Sequence, residues 1–209
     1  MAHSETKGLV HHFTDLRQQH ESATLGMWSF LVTEILFFGG LITSYIIFRN
    51  LYPEVWLAAS HELDWVLGGV NTFVLLFSSL TMAMAVRAAH HGHPKATFNW
   101  LSATVVFGAA FLLIKYFEYS SKVEHHLIPG TDSFTFNVAG VDPAQAQIFF
   151  VMYFAMTGVH ALHMIVGIGW VGWVMRNVKK RMYTSEYYAP VEMTGLYWHF
   201  VDIVWIFLY

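Results

Sequence analysis

The sequence predicts an all-α fold: a polytopic membrane protein built as a bundle of five transmembrane helices. Hydrophobic residues make up 56% of the 209-residue chain and charged residues only 12%, whereas a soluble domain carries roughly 25% charged residues. The apolar residues gather in long runs, each able to cross a bilayer as a helix. Between the runs, Gly, Pro and charged residues predict loops.

The first predicted element is a polar N-terminal arm, residues 1–24, in which His and Gln are frequent. Such a composition buries little apolar surface, so we expect a solvated, partly ordered arm. The apolar run 25–48 predicts the first span, which Arg49, Asn50 and Pro53 end. This run is too long for the apolar part of a cleavable signal peptide, so it is interpreted as a membrane helix.

The four later spans are predicted at residues 65–86, 96–117, 147–175 and 191–209. Gly92 and Pro94 mark the loop before the third span, and several Gly and Pro residues break the longest loop, 118–146. The fourth run is longer than a bilayer requires, which indicates a tilted or protruding helix. Residues 25–209 therefore form one predicted transmembrane domain.

The distribution of charge predicts the orientation. If the loops alternate between the two sides, one side holds Lys7, Arg17, Arg87, Lys95, Arg176, Lys179, Lys180 and Arg181. The other side holds Arg49, Lys115 and Lys122, together with the acidic residues Glu54, Glu62, Asp64, Glu118, Glu124, Asp132 and Asp142. Because Lys and Arg collect on the cytoplasmic side, we expect the N-terminus inside and the C-terminus outside.

Composition also excludes several classes of function. The net charge is −3, so no basic surface predicts binding to nucleic acid. The chain contains no Cys, which excludes disulfides, thiolate catalysis and any copper or iron–sulfur site built on Cys.

Glu34 is a carboxylic acid inside the first predicted span. It lies about 14 Å along the helix from Leu25, near the middle of the bilayer, where a charge costs roughly 2.5 kcal/mol or more. One interpretation is a protonated, hydrogen-bonded packing residue. The other is a carboxyl beside a lipid-filled or internal cleft, with Gly39 and Gly40 allowing another helix to approach.

Two further groups of polar residues lie in or at the ends of spans. His160 and His163 share a helix face and predict lipid or inter-helix hydrogen bonding, which we favour over metal binding because no third ligand is obvious nearby. Lys115 and Glu118 end the third span, where Lys115 is expected to extend outward beside interfacial tyrosines.

The last run, GLYWHFVDIVWIFLY, is apolar apart from a His and an Asp at its centre. His199 and Asp202 are three residues apart and share a face of the helix. Trp198, Asp202, Trp205 and Tyr209 form a stripe at helical spacing. Since a polar stripe in a membrane helix faces protein, we expect this one to pack inside the bundle.

Several separated stretches together resemble one known family. In chain order they read WSFLVTEILFFGG, NTFVLLFSSLTM, KYFEYS, MTGVHALHMIVG and YWHFVDIVWIFLY. The order and spacing are similar to those of the haem-copper oxidase subunit III family, that is, cytochrome c oxidase subunit III. Longer members have seven spans, and this chain resembles the shorter five-helix bacterial form that lacks the first two.

The resemblance implies a non-redox accessory subunit of a proton-pumping terminal oxidase in aerobic respiration, which oxidises cytochrome c and reduces oxygen to water. Such a subunit has no catalytic centre of its own, and the haem and copper belong to partner subunits. It packs against catalytic subunit I in a complex that also contains the electron-entry subunit II, which stabilises subunit I and supports its proton uptake. A V-shaped cleft between a two-helix and a three-helix part holds phospholipid.

The same resemblance implies a place in the bacterial inner membrane, and a larger respiratory supercomplex is a further partner consistent with it. By motif match, Glu34 corresponds to the family's buried carboxyl near the cleft, and His160 and His163 to its HxxH pair. Trp198, His199 and Asp202 correspond to the signature of the last helix, and Glu118 lies in the matched KYFEYS stretch.

Three alternatives stay open: a quinol oxidase subunit, a nitric oxide reductase accessory protein and a stand-alone transporter. The same fold serves in a quinol oxidase or as a nitric oxide reductase accessory protein, since the electron donor binds elsewhere. A stand-alone small transporter is another class, for which inverted repeats and broken helices are typical; neither is found in the sequence. A catalytic oxidase subunit is disfavoured because only His160, His163 and His199 lie within the predicted spans, too few to bind haem and copper.

Overall fold

The computed structural model describes residues 9–131, 134–136, 138 and 140–209. The described part contains six helices: α1 (Leu16–Leu51), α2 (Pro53–Ser60), α3 (Trp65–His90), α4 (Pro94–Glu124), α5 (Pro143–Lys179) and α6 (Ala189–Leu208). Five of them, all except α2, are long and apolar enough to cross a membrane. The predicted all-helical, five-span membrane bundle is therefore confirmed.

Local sequence signals set where the helices begin. The Asp15 side chain caps α1 by accepting a hydrogen bond from the backbone N–H of Gln18 at 2.7 Å. Asp64 caps α3 and Asp142 caps α5 in the same manner. Because of the Asp15 cap, α1 begins at Leu16, so the end of the arm that was expected to be only partly ordered is helical.

Four of the long helices form a closed ring. In the described part of the chain, the backbone of α3 lies close to those of α4 and α6, and that of α5 close to those of α4 and α6, whereas only side chains reach across the ring. The backbone of the fifth long helix, α1, lies outside the ring close to α5 and α6 and not to α3 or α4. The helices therefore group as four plus one, whereas the expectation was a two-helix and a three-helix part.

Trp198 of α6 occupies the centre of the ring and is 1% exposed. Two glycines make room for it: a Cβ atom added at Gly108 of α4 or at Gly167 of α5 would lie only 3.0–3.1 Å from the nearest ring atoms of Trp198 and, at Gly167, Tyr197. Phe111 of α4 also packs at the centre, with its ring 4.8 Å from that of Trp205. Small residues thus bring α4 and α5 close to α6.

One end of the bundle, which we call the capped end, is covered by α2 and by described residues of the loop 125–142. Trp56 of α2 is 3% exposed, and its ring contacts that of Phe149 of α5 at 5.4 Å. Leu127 and Phe136 of the loop belong to the same cluster. We call the other end the open end. Lys7 and Asp132, two of the charged residues used to predict the orientation, lie outside the described residues.

Candidate functional site

Glu34 of α1 and His163 of α5 meet across the helix boundary. The His163 Nε2 and Glu34 Oε2 atoms are 3.2 Å apart, and each side chain is about one-fifth exposed, 18% and 19% respectively. The Tyr197 hydroxyl of α6 donates a hydrogen bond to the backbone carbonyl of His163 at 2.9 Å. All three helices on this side of the bundle therefore contribute to one polar site.

The hydrogen bond of the other ring nitrogen fixes which nitrogen of His163 faces Glu34. Nδ1 of His163 is 2.9 Å from the backbone carbonyl of Val159. A carbonyl oxygen only accepts, so Nδ1 carries a hydrogen. Nε2 is therefore the nitrogen that faces the Glu34 carboxyl group.

The pair opens into an apolar groove between α1, α5 and α6. A cavity of about 400 Å³ lies there, and apart from Glu34 and His163 its lining is mainly apolar and aromatic. Trp170 and Met193 also line a second cavity of about 610 Å³ toward the open end, where Arg17, His20 and Glu186 contribute polar groups. The two cavities adjoin and together form a groove that is apolar along most of its length and polar at one end. This distribution of polarity matches that of an amphiphilic molecule.

His160 is one turn from His163 but belongs to a different environment. It is completely buried, with its ring 5.3 Å from that of Phe111 and 5.0 Å from that of Trp205. Neither of its ring nitrogens forms a hydrogen bond with a described residue. His160 therefore faces the aromatic centre of the ring, while His163 faces α1.

Glu118 and Lys115 of α4 form a buried ion pair at 2.9 Å, with side chains 8% and 6% exposed. The Tyr153 hydroxyl of α5 donates a hydrogen bond to Glu118, and the Lys115 ammonium lies 4.9 Å from the ring centre of Trp205. The expectation that Lys115 extends outward is wrong. A carboxylate one turn away and the faces of three aromatic rings replace the water that it loses.

Two of the three signature residues of the last helix bind α3. The Trp198 indole N–H donates to the Ser78 hydroxyl at 3.0 Å, and His199 Nδ1 is hydrogen-bonded to the Ser79 hydroxyl at 2.6 Å. Asp202 is 4% exposed, and its carboxyl oxygens form no hydrogen bond with a described residue. The polar stripe thus faces protein, and it joins α6 to α3.

Sequence reasoning missed several residues of these sites. Asn71 of α3 is completely buried, and its amide has no hydrogen-bond partner among the described residues. Asn71, Ser78 and Ser79 all belong to the NTFVLLFSSLTM stretch, so a search for polar residues inside spans would have found them. Tyr153 and Tyr197 gave no such signal, because a tyrosine in a span is usual at the membrane interface.

The described residues contain no group of three or more His, Cys, Asp or Glu side chains placed to hold a metal ion. Three polar contacts instead join two helices each: Glu34–His163, Glu118–Tyr153 and Ser79–His199. Such pairs can hold protons and align helices.

Comparison with known proteins places these sites in a family. The family model described as cytochrome c oxidase subunit III matches residues 5–209. Cytochrome bo(3) ubiquinol oxidase subunit 3 of Pseudomonas putida is 30% identical, over 89% of this chain and 82% of that protein. Cytochrome c oxidase subunit 3 of Corynebacterium diphtheriae is also 30% identical, over 89% and 84%. That of Thermostichus vulcanus is 27% identical, over 98% and 93%.

Proposed function

The chain belongs to the cytochrome c oxidase subunit III family, and from this premise we propose that it is a non-redox accessory subunit of a proton-pumping haem-copper terminal oxidase. In this role it stabilises the catalytic subunit, binds phospholipid and supports proton uptake, while haem and copper belong to the partner subunits I and II. The observation that carries the proposal is the groove along α1, in which the Glu34–His163 pair lies beside an apolar cavity.

Phospholipid suits this groove for physical reasons. Its wall around Phe30, Leu162 and Val166 is apolar and would accept acyl chains, and Arg17 and His20 at the open end would lie near a headgroup. The Glu34 and His163 side chains face each other at 3.2 Å and are largely buried, so little of their polar surface meets an acyl chain in the groove.

The proposed setting is the bacterial inner membrane, with the N-terminus in the cytoplasm and the C-terminus outside. This orientation is supported by the basic residues near the open end, among them Arg176 and Lys179 at the end of α5. The capped end, with Glu54 and Glu62 in and beside α2, then faces outward.

Purification in mild detergent tests the accessory role directly. A tagged chain is isolated from native membranes, and its visible spectrum and subunit composition are measured. We expect stoichiometric haem, contributed by a co-purifying catalytic subunit. A haem-free chain that carries out transport when reconstituted alone would refute the proposal and favour a transporter.

A quinol oxidase is the second candidate, because relatives with that name match as well as those named for cytochrome c. The two are separated by supplying the purified complex with reduced cytochrome c or with ubiquinol and measuring oxygen consumption. Only the true donor supports a high rate, and the accessory role of this chain is the same in both cases.

A further inference from the structure

We infer that the interior of the four-helix ring contains a water-binding site, in which ordered water bridges Asn71 of α3, His160 of α5 and Asp202 of α6. This water exchanges with the aqueous phase through a cavity at the capped end of the bundle. The site lies within this chain alone, so it goes beyond the proposed function and does not depend on it.

The three side chains are buried and unpaired. Asn71 and His160 are 0% exposed, and Asp202 is 4% exposed. The amide of Asn71, the ring nitrogens of His160 and the carboxyl oxygens of Asp202 form no hydrogen bond with a described residue. Buried polar groups are nearly always bonded, either to protein or to ordered water. These side chains therefore need partners that the described part of the chain does not supply.

Packing places the three side chains around Trp205. The Trp205 ring lies 5.0 Å from the His160 ring, and its indole N–H donates a hydrogen bond to the Thr72 hydroxyl at 3.1 Å. Thr72 directly follows Asn71 in α3. Asp202 lies one turn before Trp205 on the same face of α6. Each of α3, α5 and α6 thus contributes one unpaired side chain to the same layer of the ring.

A cavity at the capped end extends down to this layer. It has a volume of about 370 Å³, which is room for several water molecules at roughly 30 Å³ each. The buried ion pair of Lys115 and Glu118 lines it, so part of its wall is polar. Each unpaired side chain lies one turn deeper than a residue of the cavity wall: Gly68 in α3, Thr157 in α5 and Trp205 in α6.

The chemistry of the three side chains identifies water as the occupant. A side chain of another subunit cannot reach groups that are 0–4% exposed. The described residues contain no group of three His, Cys, Asp or Glu side chains that could hold a metal ion. An amide donates and accepts, a carboxylate accepts, and a neutral imidazole does both. Water donates and accepts as well, and buried water typically forms about three hydrogen bonds.

Water in this position links two titratable side chains, His160 and Asp202, to the aqueous phase at the capped end. Because water donates one hydrogen bond while it accepts another, it can carry a proton to or from either side chain. The layer is thus a place where the chain holds exchangeable protons. It is separate from the pair of Glu34 and His163, which lies between α5 and α1.

An electron cryo-microscopy map of the unmodified protein, purified from native membranes with whatever subunits accompany it, tests the site directly. At a resolution that shows ordered water, we expect density within hydrogen-bond distance, about 2.7–3.2 Å, of at least two of the three side chains. Side chains that bond directly to one another, with no density between them, would overturn the inference.

Reactivity of a single thiol tests the route from the aqueous phase, because the chain has no Cys of its own. Asn71→Cys places the thiol in the layer. Ala146→Cys and Ala85→Cys are matched controls: both alanines are 0% exposed, but Ala146 lies in the apolar cluster at the capped end and Ala85 in the apolar core.

The purified variants are treated with silver ion in chloride-free buffer. The thiol that remains is alkylated after denaturation and measured by mass spectrometry. A silver ion reaches a buried thiol only where water does, so we expect Asn71→Cys to react at least tenfold faster than either control.

Two results would refute the aqueous route: Asn71→Cys as slow as the controls, or Ala146→Cys as fast as Asn71→Cys, which would indicate opening of the capped end instead of a hydrated layer. If Asn71→Cys does not assemble, the map of the unmodified protein decides. Both measurements are made on this chain, and the haem content of the same preparations tests the proposed function separately.

Discussion

At the scale of single residues, the contact of Glu34 with His163 can be tested for its dependence on charge. Glu34→Gln keeps the size of the side chain, and its amide N–H can donate to His163 Nε2 across the 3.2 Å contact. We expect normal assembly and a normal initial rate of oxygen consumption. Glu34→Lys places a cation against the imidazole, and we expect disturbed packing or lipid retention and faster inactivation during turnover.

The measurement is oxygen consumption over many turnovers, beside the haem spectrum. His163→Gln is a useful companion, since it removes the imidazole and keeps a polar side chain. Loss of the initial rate in Glu34→Gln with intact haem and subunits would place Glu34 on the catalytic path and contradict the accessory role.

A second prediction at this scale concerns glycine packing in α5. A side chain at Gly167 meets Tyr197 at 3.0 Å and Trp198 at 3.1 Å, whereas one at Gly169 meets nothing within 4 Å. The same substitution, Gly→Val, changes helix propensity equally at both positions. We expect Gly167→Val to destabilise the bundle by about 1–3 kcal/mol more than Gly169→Val.

Thermal denaturation of the two variants in detergent tests this difference. Equal melting temperatures would mean that the helices around Trp198 can move apart without loss of stability.

At the scale of elements, the Lys115–Glu118 ion pair lies within α4, and the hydrogen bond from Tyr153 to Glu118 joins α5 to it. Lys115→Met leaves the Glu118 carboxylate buried without its cation, which we expect to lower stability by roughly 3–5 kcal/mol. In the double variant with Glu118→Gln no charge is left, and the new carbonyl still accepts from Tyr153. Most of the lost stability should return, as measured by melting temperature. A double variant as unstable as Lys115→Met would show that the charges themselves are required.

The sequence predicted the transmembrane helices better than it predicted which side chains meet between them. Apolar runs were sufficient for all five spans, since length and hydropathy are local properties. The short helix α2 was missed, because eight residues of mixed pattern after Pro53 resemble a loop. Lys115 was expected to face outward because Tyr153 and Trp205, which enclose it, are distant in sequence. Their position depends on packing, which no local pattern contains.

At the scale of the whole molecule, the predicted orientation can be measured because the chain contains no Cys. Lys179→Cys at the end of α5 should be protected from a membrane-impermeant maleimide in intact cells. Glu124→Cys at the end of α4 is exposed at the capped end and should react. The reverse pattern would invert the topology, and detergent-permeabilised cells, in which both should react, control for accessibility.

The grouping of helices as four plus one also has a consequence for how the chain is made. α1 is the first long helix to be synthesised, yet apart from the short α2 it is held only by α5 and α6, as far as the described residues show. At about 5–20 residues per second, His163 follows Glu34 by roughly 6–26 seconds. During that interval α1 waits in the bilayer while α3 and α4 can already close on each other. Docking of α1 thus waits for α5, and a nascent chain cut short before α5 leaves Glu34 without His163, exposed to insertion factors and to quality-control proteases.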